Sequence, residues 1–250
     1  DPNEPPSVLQ EQELTNNENS NIVNRSTVLA NSNNPTQDVT LMDERIKINH
    51  LLRRAGFGGT PSEVDYYLNI GLEETIEYLI NYEQVDDTAL ESKLAALDLD
   101  VENKTNDLQR WWLLRMLYTQ RPLLEKMVVF WHGIYTSALS KVSEHYMYNQ
   151  NQLFRKHAFG SFELLLKNVS RDPAMLVWLD SRRNKKNAPN ENFSRELMEL
   201  FSIGEGNYTE TDVRESARAF TGYFLTRDGF TFRTSQHDFG IKNFMGKSGT

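Results

Sequence analysis

Helix-start signals recur along this chain, and each limits how long the preceding element can run. Thr60-Pro61-Ser62-Glu63 combines a capping hydroxyl, a proline in the first turn and a carboxylate able to reach back to the cap. Arg121-Pro122 and Asp172-Pro173 restart helices in the same way, and Thr209-Glu210-Thr211-Asp212 opens another. Between them stand glycine stops at Gly56, Gly71, Gly204 and Gly222. Apolar residues recur at three- and four-residue spacing within these bounds. Examples are Ile48, Leu51, Leu52 and Ala55, then Val64, Tyr67 and Leu68. A chain punctuated like this folds as many short helices, so the expected class is mostly α, a multi-helix orthogonal bundle.

The period changes once. Tyr223–Thr226 and Phe230–Arg233 flank Asp228-Gly229, a favoured hairpin pair, and predict one small β-hairpin near the C-terminal end. The most aromatic stretch begins at Asp107. Leu108, Trp111, Trp112, Leu114, Leu117 and Tyr118 cover most of a helix surface and predict a central helix. Residues 1–40 differ in kind: they are rich in Asn, Ser, Pro, Thr, Gln and Glu, and contain no aromatic residue. Such a segment buries too little apolar surface to offset the entropy of ordering it, so a disordered tail is expected ahead of a helical domain spanning 41–250.

Charge divides the chain more finely than its net value of −8 suggests. The first 44 residues hold eight carboxylates against one base, Arg25; residues 45–107 sum to −7 and residues 108–250 to +6. An acidic chain without a Lys/Arg stripe argues against a nucleic-acid binder. No apolar run is long enough for a transmembrane span. The absence of cysteine excludes disulfides, thiolate chemistry and Cys-ligated metal. It also suits export, and with the tether-like tail the expected location is the periplasm or the cell surface.

Four segments, His50–Gly58 (HLLRRAGFG), Phe130-Trp131-His132, Pro189–Gly222 and His237–Gly246 (HDFGIKNFMG), occur in this order. Together they resemble the bacterial family known as domain of unknown function 1800. The resemblance runs from about His50 to the end of the chain. It implies an exported protein of uncharacterised activity, and an exported sulfatase-like protein encoded nearby as a partner. It further implies that the family domain continues past residue 250.

Candidate chemistry concentrates in the basic half. A helix expected over Asn190–Ile203 sets Asn192, Glu196 and Glu199 on one side, with Phe193, Leu197, Leu200 and Phe201 on the other. Glu191–Arg195 and Arg195–Glu199 are i,i+4 pairs, the ordinary lacing of a solvated helix face. Glu196 and Glu199, one turn apart, could instead act as acid/base groups or as oxygen ligands to a divalent metal ion. His237 and Asp238 would complete that site if the hairpin folds back. A loop histidine bonded to a neighbouring carbonyl is the competing reading of His237. Asp238-Phe239-Gly240 spells a kinase magnesium motif but lacks the rest of the kinase set. His132, on an apolar helix, reads as a core or boundary histidine. Gly56-Phe57-Gly58-Gly59 lacks the strand and the Lys-Ser/Thr of a phosphate loop and reads as a helix stop.

The remaining feature is a loop, Ser181–Pro189, carrying Arg182, Arg183, Lys185 and Lys186, the dense basic cluster of the chain. It suits an anion or an acidic partner. Two functions follow. One is an accessory protein acting with another exported protein through its polar loops. The other is a metal-dependent, hydrolase-like enzyme built on Glu196, Glu199, His237 and Asp238.

Overall fold

The structure is a computed structural model that describes residues 35–250 apart from Asp228, with side chains from Met42 onward. The expected tail lies outside the described residues up to position 34. Among the described residues are eleven α-helices and two small hairpins, so the chain is mostly α. No described helix is long and apolar enough to cross a membrane. The chain divides into two compact units. One holds the residues up to Leu99 with Gln109–Lys126, and the other holds Asp100–Leu108 with Met127–Thr250.

In the first unit, α1 (Pro35–Ala55) begins ahead of Leu41, where the apolar period sets in. It buries Ile48 and Leu52 against Val64 and Tyr67 of α2 (Pro61–Ile70). The start of α2 is the one its sequence spells. Glu63 N donates to Thr60 Oγ1 at 3.3 Å, and Thr60 N donates to Glu63 Oε2 at 2.6 Å, which satisfies two otherwise orphaned amides. The preceding glycines form a helix stop. A Cβ on Gly56 would lie 3.0 Å from Leu52 O and 3.2 Å from Pro122 Cβ, so a side chain there would press on both neighbours.

The unit continues through α3 (Leu72–Ile80) and α4 (Thr88–Ala96), and includes most of α5 (Thr105–Tyr118) and the first turn of α6 (Pro122–Ile134). Its interior holds a buried charge pair. Arg115 Nη1 lies 3.8 Å from Glu125 Oε1, with Glu125 only 1% exposed, while Arg115 Nη2 donates to Glu91 at 2.7 Å. The expectation that apolar residues cover most of α5 and make it central holds only in part. Leu108 and Trp111 are buried, but Leu113 and Leu117 each remain 52% exposed. The position i+4 from Trp111 is spent on buried Arg115.

The second unit contains the rest of α6, then α7 (Glu144–Lys156), α8 (Phe162–Val169), α9 (Pro173–Trp178), α10 (Asn192–Glu199) and α11 (Glu210–Ala219). Its centre is aromatic: Tyr135 stacks on Phe154 at 5.9 Å and meets Phe201 edge-on at 5.1 Å. Trp131 Nε1 donates to Ala158 O at 2.9 Å. His132 is half-buried beside Phe154, and burial pushes its imidazole below the usual histidine range, consistent with a boundary histidine. A buried polar chain crosses the same unit. Ser137 Oγ donates to Gln150 Oε1 at 2.6 Å, and Gln150 Nε2 donates to Asp172 Oδ2 at 2.7 Å. That Asp172 oxygen also caps α9 by accepting from Met175 N at 3.0 Å.

The first hairpin pairs β1 (Tyr223–Thr226) with β2 (Gly229–Phe232) in antiparallel register, Tyr223 opposite Phe232 and Thr226 opposite Gly229. Gly229 therefore belongs to the strand, at φ +103°, rather than to the turn. A second hairpin, β3 (Lys242–Phe244) with β4 (Lys247–Gly249), was not expected from the sequence. Its turn residues, Met245 and Gly246, both take positive φ, and its strands are too short to show a period. It is anchored sideways: Asn243 N donates to Glu215 Oε2 at 2.8 Å, and Met245 N donates to Asp212 Oδ1 at 2.7 Å.

Candidate functional site

α10 is shorter than the expected Asn190–Ile203, because Ile203 N and Gly204 N both fold back to Met198 O at 3.1 and 2.9 Å and close the helix. Its buried stripe is Phe193, Ser194 and Met198, followed by Phe201, while Leu200 is 64% exposed instead of buried. Arg195 reaches Glu191 at 3.5 Å, but its stronger bond is to Glu210, two parallel contacts of 2.9 and 2.8 Å, rather than the expected Glu199. Glu199 instead accepts from Tyr208 Oη at 2.8 Å. Glu196 is half-buried, and burial, aided by the neighbouring Glu199 charge, lifts its carboxyl above the usual range.

His237 and Asp238 sit in a different set of contacts. Asp238 Oδ2 accepts from Arg218 Nε at 2.7 Å, and its Oδ1 accepts from Gly240 N at 2.8 Å. The Arg218 guanidinium holds this carboxyl below the usual range. Arg218 also grips Glu215 through Nη1, at 2.9 and 2.8 Å. A Cβ on Gly240 would fall 2.8 Å from Arg218 Nη2 and 2.9 Å from Asp238 Oδ1, so a side chain there would displace the ends of this pair. His237 Nδ1 lies 2.6 Å from Thr221 O, which can only accept, so Nδ1 carries the proton. Nε2 faces the ammonium of Lys242 at 3.5 Å, and that ammonium also donates to Asp238 O.

In the structure the expected metal ligands have other partners. The sequence-predicted residues form two separate groupings, Glu196 with Glu199 and His237 with Asp238. Among the described residues no three His, Asp or Glu side chains form a group that could hold a metal ion. The physical reason is local: Asp238 is neutralised by Arg218, and the lone pair of His237 is turned toward a buried lysine cation. Arg218, Glu215 and Lys242 were missed as partners. Only Glu215–Arg218, three residues apart on α11, left a signal in the sequence.

The basic loop is differently built. Ser181–Arg183 forms a single 3-10 turn, and Arg182, Arg183, Lys185 and Lys186 are all exposed. At its centre Asn184 is only 4% exposed and holds three segments at once. Its Nδ2 donates to Ala217 O at 2.8 Å, its Oδ1 accepts from Asn190 N at 2.9 Å, and its carbonyl accepts from Gly222 N at 3.3 Å. Lys186 N adds a bond to Gln236 O at 2.9 Å. The cations are thus carried on a backbone tied at both sides. Arg183 lies 3.8 Å from Asp180, and the other three make no ion pair among the described residues.

No curated protein and no solved structure matches the chain. A family model, described as protein of unknown function (DUF1800), matches residues 50–250. That span runs from the last turns of α1 through the rest of both units, with the Arg218 clasp and the basic loop, and on it the chain belongs to the DUF1800 family.

Proposed function

We propose that the chain is an exported, non-catalytic interaction protein that engages an exported sulfatase-like partner through Arg182, Arg183, Lys185 and Lys186. The observation that carries this reading is the buried Asn184, which fixes the loop backbone while leaving all four cations in solvent. A loop ordered before binding loses less entropy on association. Exposed cations on such a loop steer an acidic surface into register and set the on-rate more than the final affinity. The +6 balance of residues 108–250 adds to the same field.

The test is surface plasmon resonance between the purified chain and the sulfatase-like protein encoded nearby, at two salt concentrations. Arg182→Gln, Arg183→Gln, Lys185→Gln and Lys186→Gln are combined in the variant. The expected result is binding that weakens with salt in the wild type and falls at least about tenfold in the variant, with unchanged circular dichroism. Equal affinity of wild type and variant, or no binding by either, rejects the reading.

A further inference from the structure

Beyond the basic loop, the first unit contains a groove with the polarity of a ligand site. α4 and α5 run antiparallel along it. Asp87, just ahead of α4, accepts from Thr119 Oγ1 at 2.8 Å and from Gln120 N at 2.9 Å, past the end of α5. Glu91, one turn on, meets Arg115, one turn back along α5. By the same register Leu97 falls opposite Arg110 of α5, and Lys93 lines the groove about one turn nearer its middle. A cavity of about 370 Å³ lies between the two helices, its floor formed by Leu90, Leu94, Leu97 and Leu114.

The charges on this groove are unbalanced. Lys93 and Arg110 both line it, both are exposed, and neither makes an ion pair or hydrogen bond among the described residues. The carboxylate at the other end, Asp87, has both oxygens occupied by the turn after α5. An elongated apolar molecule would find leucines along its length and two free cations on its flanks, with the hydrogen-bonded carboxylate of Asp87 beside Tyr118 and Gln120 at the far end. From Arg110 to Tyr118 the helix rises about 12 Å. That length and volume suit a small molecule better than a docked helix.

We propose that this groove binds a medium-chain fatty carboxylate, with the alkyl chain along Leu90, Leu94 and Leu114 and the carboxylate between Lys93 and Arg110. The test is isothermal titration of the chain with decanoate, decanol and decyltrimethylammonium, each below its micelle concentration. Saturable one-site binding of decanoate is expected, roughly tenfold tighter than that of decyltrimethylammonium, with decanol between them. Lys93→Gln with Arg110→Gln changes two exposed, unpaired side chains. It should abolish that preference while circular dichroism and the melting temperature stay unchanged. The proposal fails if decanoate does not saturate, if the three head groups bind equally, or if the preference survives the double substitution.

Discussion

Asp172 gives the sharpest stability experiment. Its carboxylate is 5% exposed, and burial pushes its pKa up to about 7, against bonds from Met175 N and Gln150 Nε2 that favour the ionised form. The folded state therefore holds this proton at pH values where the unfolded chain, with a carboxyl near 3.8, has released it. The stabilisation from the protonated group is complete below about pH 4 and is lost as pH rises to about 7; above that the penalty is constant. A displacement of about three units corresponds to about 4 kcal/mol at its limit. Asp172→Asn keeps an amide oxygen able to accept both bonds and to cap α9, yet carries no charge at any pH. Urea unfolding followed by tryptophan fluorescence from pH 4.5 to 8.5 should show the variant gaining on the wild type as pH rises. Most of the gain should fall between pH 4.5 and 7.5, with a plateau above. Asp172→Ala should lose stability most clearly near pH 4.5, where the wild-type carboxyl is protonated, since it removes the cap and leaves Gln150 Nε2 without its acceptor; that deficit should shrink as pH rises to about 7. A difference between Asn variant and wild type that stays flat across pH 4.5–7.5 would refute the burial account of Asp172.

Asn184→Ala should destabilise the second unit by about 1–3 kcal/mol, because the bonds to Ala217 O and Asn190 N are buried or half-buried. Hydrogen exchange of residues 181–190 should rise more than that of the rest of the unit. In the first unit, Arg115→Ala takes the guanidinium from Glu125, which is 1% exposed, and should cost about 3–5 kcal/mol by thermal or chemical denaturation. A loss under about 1 kcal/mol would mean that the pair is not energetically buried.

Local spacing made much of the helical framework readable. Thr60 with Glu63 and Thr209 with Asp212 are capping pairs three residues apart, and both form as spelled. Asp172-Pro173 starts α9 for the same reason. These contacts close within one turn, so no distant residue can redirect them. Leu113, Leu117 and Leu200 show where periodicity stops informing. An apolar residue on a helix is buried only if another element covers it, and at these positions none does so fully.

The chemistry of the candidate site depended almost wholly on tertiary contacts. Residue type and position alone determined that a dense basic loop follows α9, that no cysteine chemistry is available, and that the chain folds as short, capped helices. They also left Glu196, Glu199, His237 and Asp238 free to be imagined around one metal. Tertiary structure supplied partners that the sequence does not announce: Arg218 lies twenty residues from Asp238 and yet takes its carboxylate, while Lys242 turns a buried cation toward His237. It likewise made Asn184, an unremarked loop residue, the anchor of the basic loop. Ligand-like residues carry their chemistry in sequence, but whether a carboxylate remains available is an electrostatic outcome set by the nearest cation, and distant segments supply that cation only on folding.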